Sequence, residues 1–188
     1  LFYPSYWLEA EHYAYSPDQF MYNGNFSNGI AIKPYLLQED NVTTVEYLTL
    51  KENLTRGYYS LFLRSAPVFY GAVQNAGLLD IDVIVKSGDK INVIKGVCEV
   101  PWQYEKGRWN AVFFNNNLSR TDFWIGENSE VTIRIWINYT AHEAVPLFLD
   151  KIAIMRMWFE RPWMNMLSLD VRPIPRCLDP MDPDTDGD

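Results

Sequence analysis

Apolar and polar residues alternate with a period of two along much of this chain. From Glu130 to Asn138, Val131, Ile133, Ile135 and Ile137 fall on one side, with Thr132, Arg134 and Asn138 on the other and Trp136 as the exception. Leu79, Ile81, Val83 and Val85 alternate with Asp80 and Asp82, and Tyr59, Leu61 and Leu63 with Ser60 and Arg64. Such alternation is the signature of a strand with one buried face. Further β-rich runs lie near Trp7–Tyr13, Ile30–Leu36, Thr44–Leu50, Ile91–Val97, Trp109–Phe114 and Leu147–Met155. Turn residues punctuate them at Asn23-Gly24, Arg56-Gly57, Ser87-Gly88-Asp89 and Lys106-Gly107. Ser87–Asp89, between two strand-like runs, predicts a hairpin.

No helix-length segment carries a clean apolar stripe of helical period. Many short strands with frequent turns predict an all-β sandwich or barrel. Residues 162–183 are rich in proline, so the main domain is expected to end near Met157. The expected organisation is a β-sandwich over residues 1–157, an extended arm or linker over 158–178, and an acidic tail over 179–188.

Composition narrows the function classes. The chain has 188 residues, 48% of them hydrophobic and 21% charged, which is a globular rather than a disordered balance. A net charge of −8 argues against binding duplex nucleic acid, which needs clustered Lys and Arg. Five of the acids are Asp residues between Asp179 and Asp188, so the body itself is nearly neutral. No apolar run approaches the roughly 18 residues of a membrane span. A chain that starts at Leu1 without a signal peptide reads as processed or trimmed.

Five N-x-Ser/Thr sequons begin at Asn25, Asn41, Asn53, Asn117 and Asn138, where chance supplies about one. That density points to an extracellular, glycosylated surface protein. In an oxidising compartment Cys98 and Cys177 either pair in a disulfide closing a long loop, or Cys98 is a buried thiol.

Several segments, in order, resemble carbohydrate-binding modules of families 6 and 35. Trp7-Leu8-Glu9-Ala10-Glu11 is similar to their opening E-A-E strand, and Thr55–Arg64 to their strand with a Gly-x-Tyr start and an Arg end. Leu79–Val85, Gly107-Arg108-Trp109, Glu130–Ile137 and Leu147–Ile154 match their later strands and turn. The resemblance covers residues 6–156. It implies a two-sheet antiparallel β-sandwich (a jelly roll), here with an extended C-terminal arm.

It also implies a structural calcium ion held by Glu9, Glu11 and Asp150, with carbonyls from the Asn25–Gly29 loop. The residues argue the same way. Two carboxylates two apart on a strand share a face, repel each other, and call for a cation or a base. In these modules a sugar stacks on Trp or Tyr at a loop rim, and the candidates here are Trp102, Tyr104 and Trp109, with Tyr35 and Tyr70 further off. Those modules usually place an Asn before the closing strand. The stretch Ala141–Pro146 has none, which departs from their usual cleft.

Asp182, Asp184, Asp186 and Asp188 lie in a D-x-D-x-D-G-D run that matches the start of a calcium loop. This resembles the opening of a thrombospondin type 3 or dockerin-like repeat and implies further calcium-binding sequence beyond it. No nucleophile elbow, zinc motif or phosphate loop occurs, and no catalysis is expected. Two readings remain. One is a non-catalytic, calcium-stabilised module that binds a glycan or polysaccharide. The other is a structural subunit of a filament, sheath or surface layer that assembles with copies of itself through its apolar terminal arms.

Overall fold

The computed structural model describes residues 5–35, 44–67, 77–100, 108–115, 117–138 and 147–157. The fold is all-β, as expected, with eleven strands among the described residues, paired antiparallel throughout. They are β1 (Ser5–Glu9), β2 (Phe20–Tyr22), β3 (Ile30–Ile32), β4 (Thr44–Leu54), β5 (Gly57–Pro67), β6 (Gly77–Ser87), β7 (Lys90–Val100), β8 (Arg108–Phe113), β9 (Asp122–Ile125), β10 (Ser129–Asn138) and β11 (Leu147–Arg156).

The first sheet is built around β5 and β11. Beyond β11, β3 pairs at Leu149 and β1 at Lys151–Met155, so two short strands share one edge. Beyond β5, β9 pairs at Gly57–Ser60 and β8 at Phe62–Ser65. The second sheet runs β4-β10-β6-β7. β8 belongs to both sheets, because Val112 and Phe113 pair with β7 after the first half of the strand has paired with β5. The hydrogen-bonded surface therefore curls around one side of the sandwich.

The alternating apolar sets meet between the layers. Leu61, Leu63, Ile152 and Ile154 from the first sheet face Leu79, Ile81, Val83, Val131, Ile133 and Ile135 from the second, all fully buried. The Ser87–Asp89 hairpin forms as predicted, with Ser87 opposite Lys90. Gly88 takes φ +56° at the first turn position, a conformation that glycine reaches without a Cβ clash.

Two expectations are corrected. The run Trp7–Tyr13 is not one strand: β1 stops at Glu9 and Ala10–Tyr13 is a 3-10 turn. The strand expected over Ile30–Leu36 covers, among the described residues, only Ile30–Ile32. The strands β2 and β9, three and four residues long, were not expected because they are too short to show alternation.

Two bulges shape the surfaces. On β4, Leu48 lies opposite Ile135 and Glu46 opposite Trp136, so Tyr47 is the extra residue. On β11, Leu149 lies opposite Ser65 and Lys151 opposite Arg64, so Asp150 is the extra residue. A bulge frees a residue from the ladder and aims it elsewhere.

Candidate carboxylate centre

The bulge at Asp150 falls where the edge of β11 passes from β3 to β1. The loop entering β3 closes over it. Phe26 anchors that loop edge-to-face on Phe148 of β11, with ring centroids 5.8 Å apart. Asn28 and Gly29 then take left-handed φ values of +51° and +72°, which Asn and Gly tolerate best. This turn aims the Ser27 N–H at Asp150, 3.0 Å from Oδ1, and brings the Ser27 hydroxyl 3.1 Å from Glu9 Oε1. Asn28 Nδ2 donates to Glu11 Oε1 at 3.4 Å.

Glu9, Glu11 and Asp150 therefore gather around one short loop, although not by the expected route. Glu9 ends a strand and Glu11 sits in the 3-10 turn after it, so the two do not share a strand face. Two cations are built into the same place. Arg64 Nη1 lies 3.1 Å from Asp150 Oδ2, and Lys151 Nζ lies 3.5 Å from Glu9 Oε1. Arg64 and Lys151 are directly opposed across β5 and β11, an arrangement that repels unless carboxylates stand between them. The Asn25–Gly29 loop was expected to supply carbonyls, but it meets the acids through the Ser27 N–H and hydroxyl and the Asn28 amide, and sequence reading missed Arg64 and Lys151 as members of the site. The signal for Lys151 was its place beside Asp150.

Among the described residues, three carboxylates face two cations here. Burial raises the Asp150 carboxyl to about 7, with the Arg64 guanidinium opposing that rise. Burial also raises Glu9, against the pull of Lys151. Glu9 Oε2 and Glu11 Oε2 are buried and have no hydrogen-bond partner among the described residues. Two such acceptors with a surplus negative charge fit a bound hard cation, whose ligands are oxygens. As they stand, no group of three or more His, Cys, Asp or Glu among the described residues is gathered closely enough to hold a metal. Lys151 and Arg64 occupy oxygens that a cation would take.

The other expected site residues are placed as follows. Trp109 is 8% exposed and lies edge-to-face on Trp7 at 5.4 Å, among Phe62, Ala153 and Met155 on the outer side of the first sheet. It offers no open ring face at a loop rim, and its candidacy as a stacking platform is withdrawn. Trp102, Tyr104, Tyr70, Cys177, Asn41 and the tail residues Asp182, Asp184, Asp186 and Asp188 lie outside the described residues, as do residues 1–4 and 158–169 of the apolar arms (1–7 and 155–169) expected to drive assembly, whereas Ser5–Trp7 of the first arm is part of β1 and pairs with β11. Asn25, Asn53 and Asn117 are exposed, as acceptors of glycans must be, and Asn138 ends β10. Cys98 is fully buried, and burial pushes its thiol well above the ordinary range. No helix among the described residues is long and apolar enough to cross a membrane.

No protein-family model matches the chain, and no curated protein does. Solved structures do. The Cry4Aa mosquito-larvicidal toxin of Bacillus thuringiensis matches with a TM-score of 0.51 and 10% identity, over 82% of this chain and 24% of its own. A ruminal GH26 endo-β-1,4-mannanase matches at 0.47 and 15%, over 86% of this chain and 28% of its own. The CBM36-1 domain of a multidomain xylanase from the hindgut metagenome of Trinervitermes trinervoides matches at 0.45 and 13%, over 83% of this chain and all of its own. This chain thus spans about a quarter of the two larger chains. At these identities the likeness is one of fold alone, an antiparallel β-sandwich.

Proposed function

We propose that this chain is a non-catalytic, calcium-stabilised carbohydrate-binding domain of an extracellular, glycosylated protein. One observation carries the reading. Glu9, Glu11 and Asp150, the three acids that the family resemblance singles out, come from opposite ends of the sequence to one loop, where two buried carboxylate oxygens have no hydrogen-bond partner among the described residues. When bound, calcium supplies charge neutralisation and a cross-link between the first and last strands. Glu9, Glu11 and Asp150 would hold it. Ser27 and Asn28 orient all three carboxylates, and Arg64 and Lys151 offset part of their charge. The acidic tail, Asp182–Asp188, is proposed as the start of a second calcium element.

The carbohydrate reading rests on the ordered strand motifs and is tested by affinity electrophoresis in calcium, with neutral and acidic plant and microbial polysaccharides cast in the gel. Retardation by at least one polysaccharide is the expected result. Unchanged mobility against the whole panel contradicts the reading.

A further inference from the structure

The outer face of the second sheet carries an exposed aromatic ring held rigidly in place. Tyr15 is 44% exposed, yet three independent contacts fix it. Its hydroxyl lies 2.7 Å from Glu46 Oε2 and 2.7 Å from Thr49 Oγ1. Its backbone N–H donates to Gln19 Oε1 at 2.7 Å. Gln19 is itself buried, with its amide donating to the carbonyls of Tyr47 and Lys33 at 2.8 and 3.1 Å. The Tyr35 ring lies against Tyr15 at 5.6 Å, and its backbone bonds Glu46 in both directions.

From Glu46 the network continues across the sheet. Arg134 Nε donates to Glu46 Oε1 at 2.7 Å, and its guanidinium lies 4.6 Å over the Trp136 ring and 3.6 Å from Asp82. Lys95 closes the row, 2.7 Å from Asp82 Oδ1. The row crosses β4, β10, β6 and β7, three inter-strand spacings or about 14 Å. Two acids, Glu46 and Asp82, and two bases, Arg134 and Lys95, balance along it.

A side chain locked open to solvent is what a stacking platform requires, since little further entropy is lost when a ligand lands. The balanced charges choose the ligand. An anionic polymer gains no net attraction from a balanced row, whereas a neutral polyhydroxylated one finds fixed donors and acceptors beside a flat ring. We infer that Tyr15, Glu46 and Arg134, supported by Tyr35 and Trp136, form a binding face for a neutral oligosaccharide, with the sugar stacked on Tyr15. This inference rests on the carbohydrate-binding reading above and names where the ligand sits.

The test is calorimetric titration of the full chain with neutral xylo-, manno-, cello- and galacto-oligosaccharides. Variants Tyr15→Ala, Tyr15→Phe and Tyr22→Ala are compared, each checked for an unchanged circular dichroism spectrum. Tyr15→Ala is expected to weaken binding by about tenfold or more, as for loss of an aromatic anchor. Tyr15→Phe, which keeps the ring but loses its anchor, is expected to weaken binding less. Tyr22, 73% exposed but without a hydroxyl anchor among the described residues, is the control and should leave binding unchanged. Should Tyr15→Ala not fold, Glu46→Gln must weaken binding by itself, because it loosens both the phenol and Arg134. Full affinity in Tyr15→Ala or, failing that, Glu46→Gln overturns this site while leaving the carbohydrate reading intact. A wild-type chain that binds none of these neutral sugars overturns this inference, and the carbohydrate reading falls with it only if mobility is also unchanged against the whole polysaccharide panel.

Discussion

Replacing Tyr47 by Phe removes one oxygen and tests how the two sheets are tied together. Tyr47 is the extra residue of the β4 bulge and points inward with no exposed surface. Its hydroxyl donates to the Leu147 carbonyl at 2.7 Å and accepts from the Leu147 N–H at 3.1 Å. Leu147 opens β11, the strand that carries Asp150, and lies opposite Pro67, which has no N–H to offer in exchange. The variant therefore strips two buried backbone groups of this partner and puts nothing in its place. Each such loss costs about 1–3 kcal/mol, so the expected destabilisation is about 2–4 kcal/mol, with little compensation from the small cavity. For a domain of this size each kcal/mol moves the melting temperature by about 2–4 °C, giving a fall of about 5–15 °C. Urea denaturation should show a lower midpoint with an unchanged slope. A midpoint within error of the wild type would refute the argument, since the two Leu147 groups would then be satisfied without the hydroxyl.

Other substitutions probe separate parts of the account. In Gly96→Ala the new Cβ meets Val112 Cγ1 at 2.7 Å and Phe114 Cε1 at 2.9 Å, where β7 joins β8. A loss of about 1–3 kcal/mol is expected from the urea midpoint. Gln19→Leu removes the amide that holds Tyr15, Ser16, Lys33 and Tyr47 together. It should cost about 2–4 kcal/mol and speed hydrogen exchange at the Tyr15 amide. Lys95→Ala should change stability by less than about 1 kcal/mol, because its side chain is 69% exposed. Arg134→Leu should cost about 2 kcal/mol or more, because it leaves the largely buried Glu46 and Asp82 without that guanidinium; equal losses in the two variants would contradict this ordering.

The long strands were legible because a two-layer sandwich imposes one buried face on each of them. Val131, Ile133, Ile135 and Ile137 fall inside as their spacing requires. Period two fails where the outer face is apolar as well. Trp109 and Ala153 lie outward with Trp7 and Phe62, yet they are buried, so alternation could not tell platform from packing. It also fails at bulges. Nothing in Leu147–Ile154 marks Asp150 as the residue that leaves the ladder, and nothing in Trp7–Tyr13 marks the break into a turn after Glu9. The carboxylate centre was therefore found through resemblance, whereas its cations and its Ser27 clasp needed coordinates. The Tyr15 network was hidden for a further reason: its parts are spread from Tyr15 to Trp136 and share no local spacing.

The carboxylate centre is tested most directly by calorimetric titration of calcium into the chelator-stripped full chain, beside an Asp150→Asn variant. The acidic tail is present in both, so any heat it contributes cancels in the comparison. The account predicts a binding event in the wild type that is lost in Asp150→Asn, accompanied by a calcium-dependent rise in melting temperature that the variant also lacks. Identical titrations for the two proteins, or no heat in either, would contradict a calcium ion held by Glu9, Glu11 and Asp150.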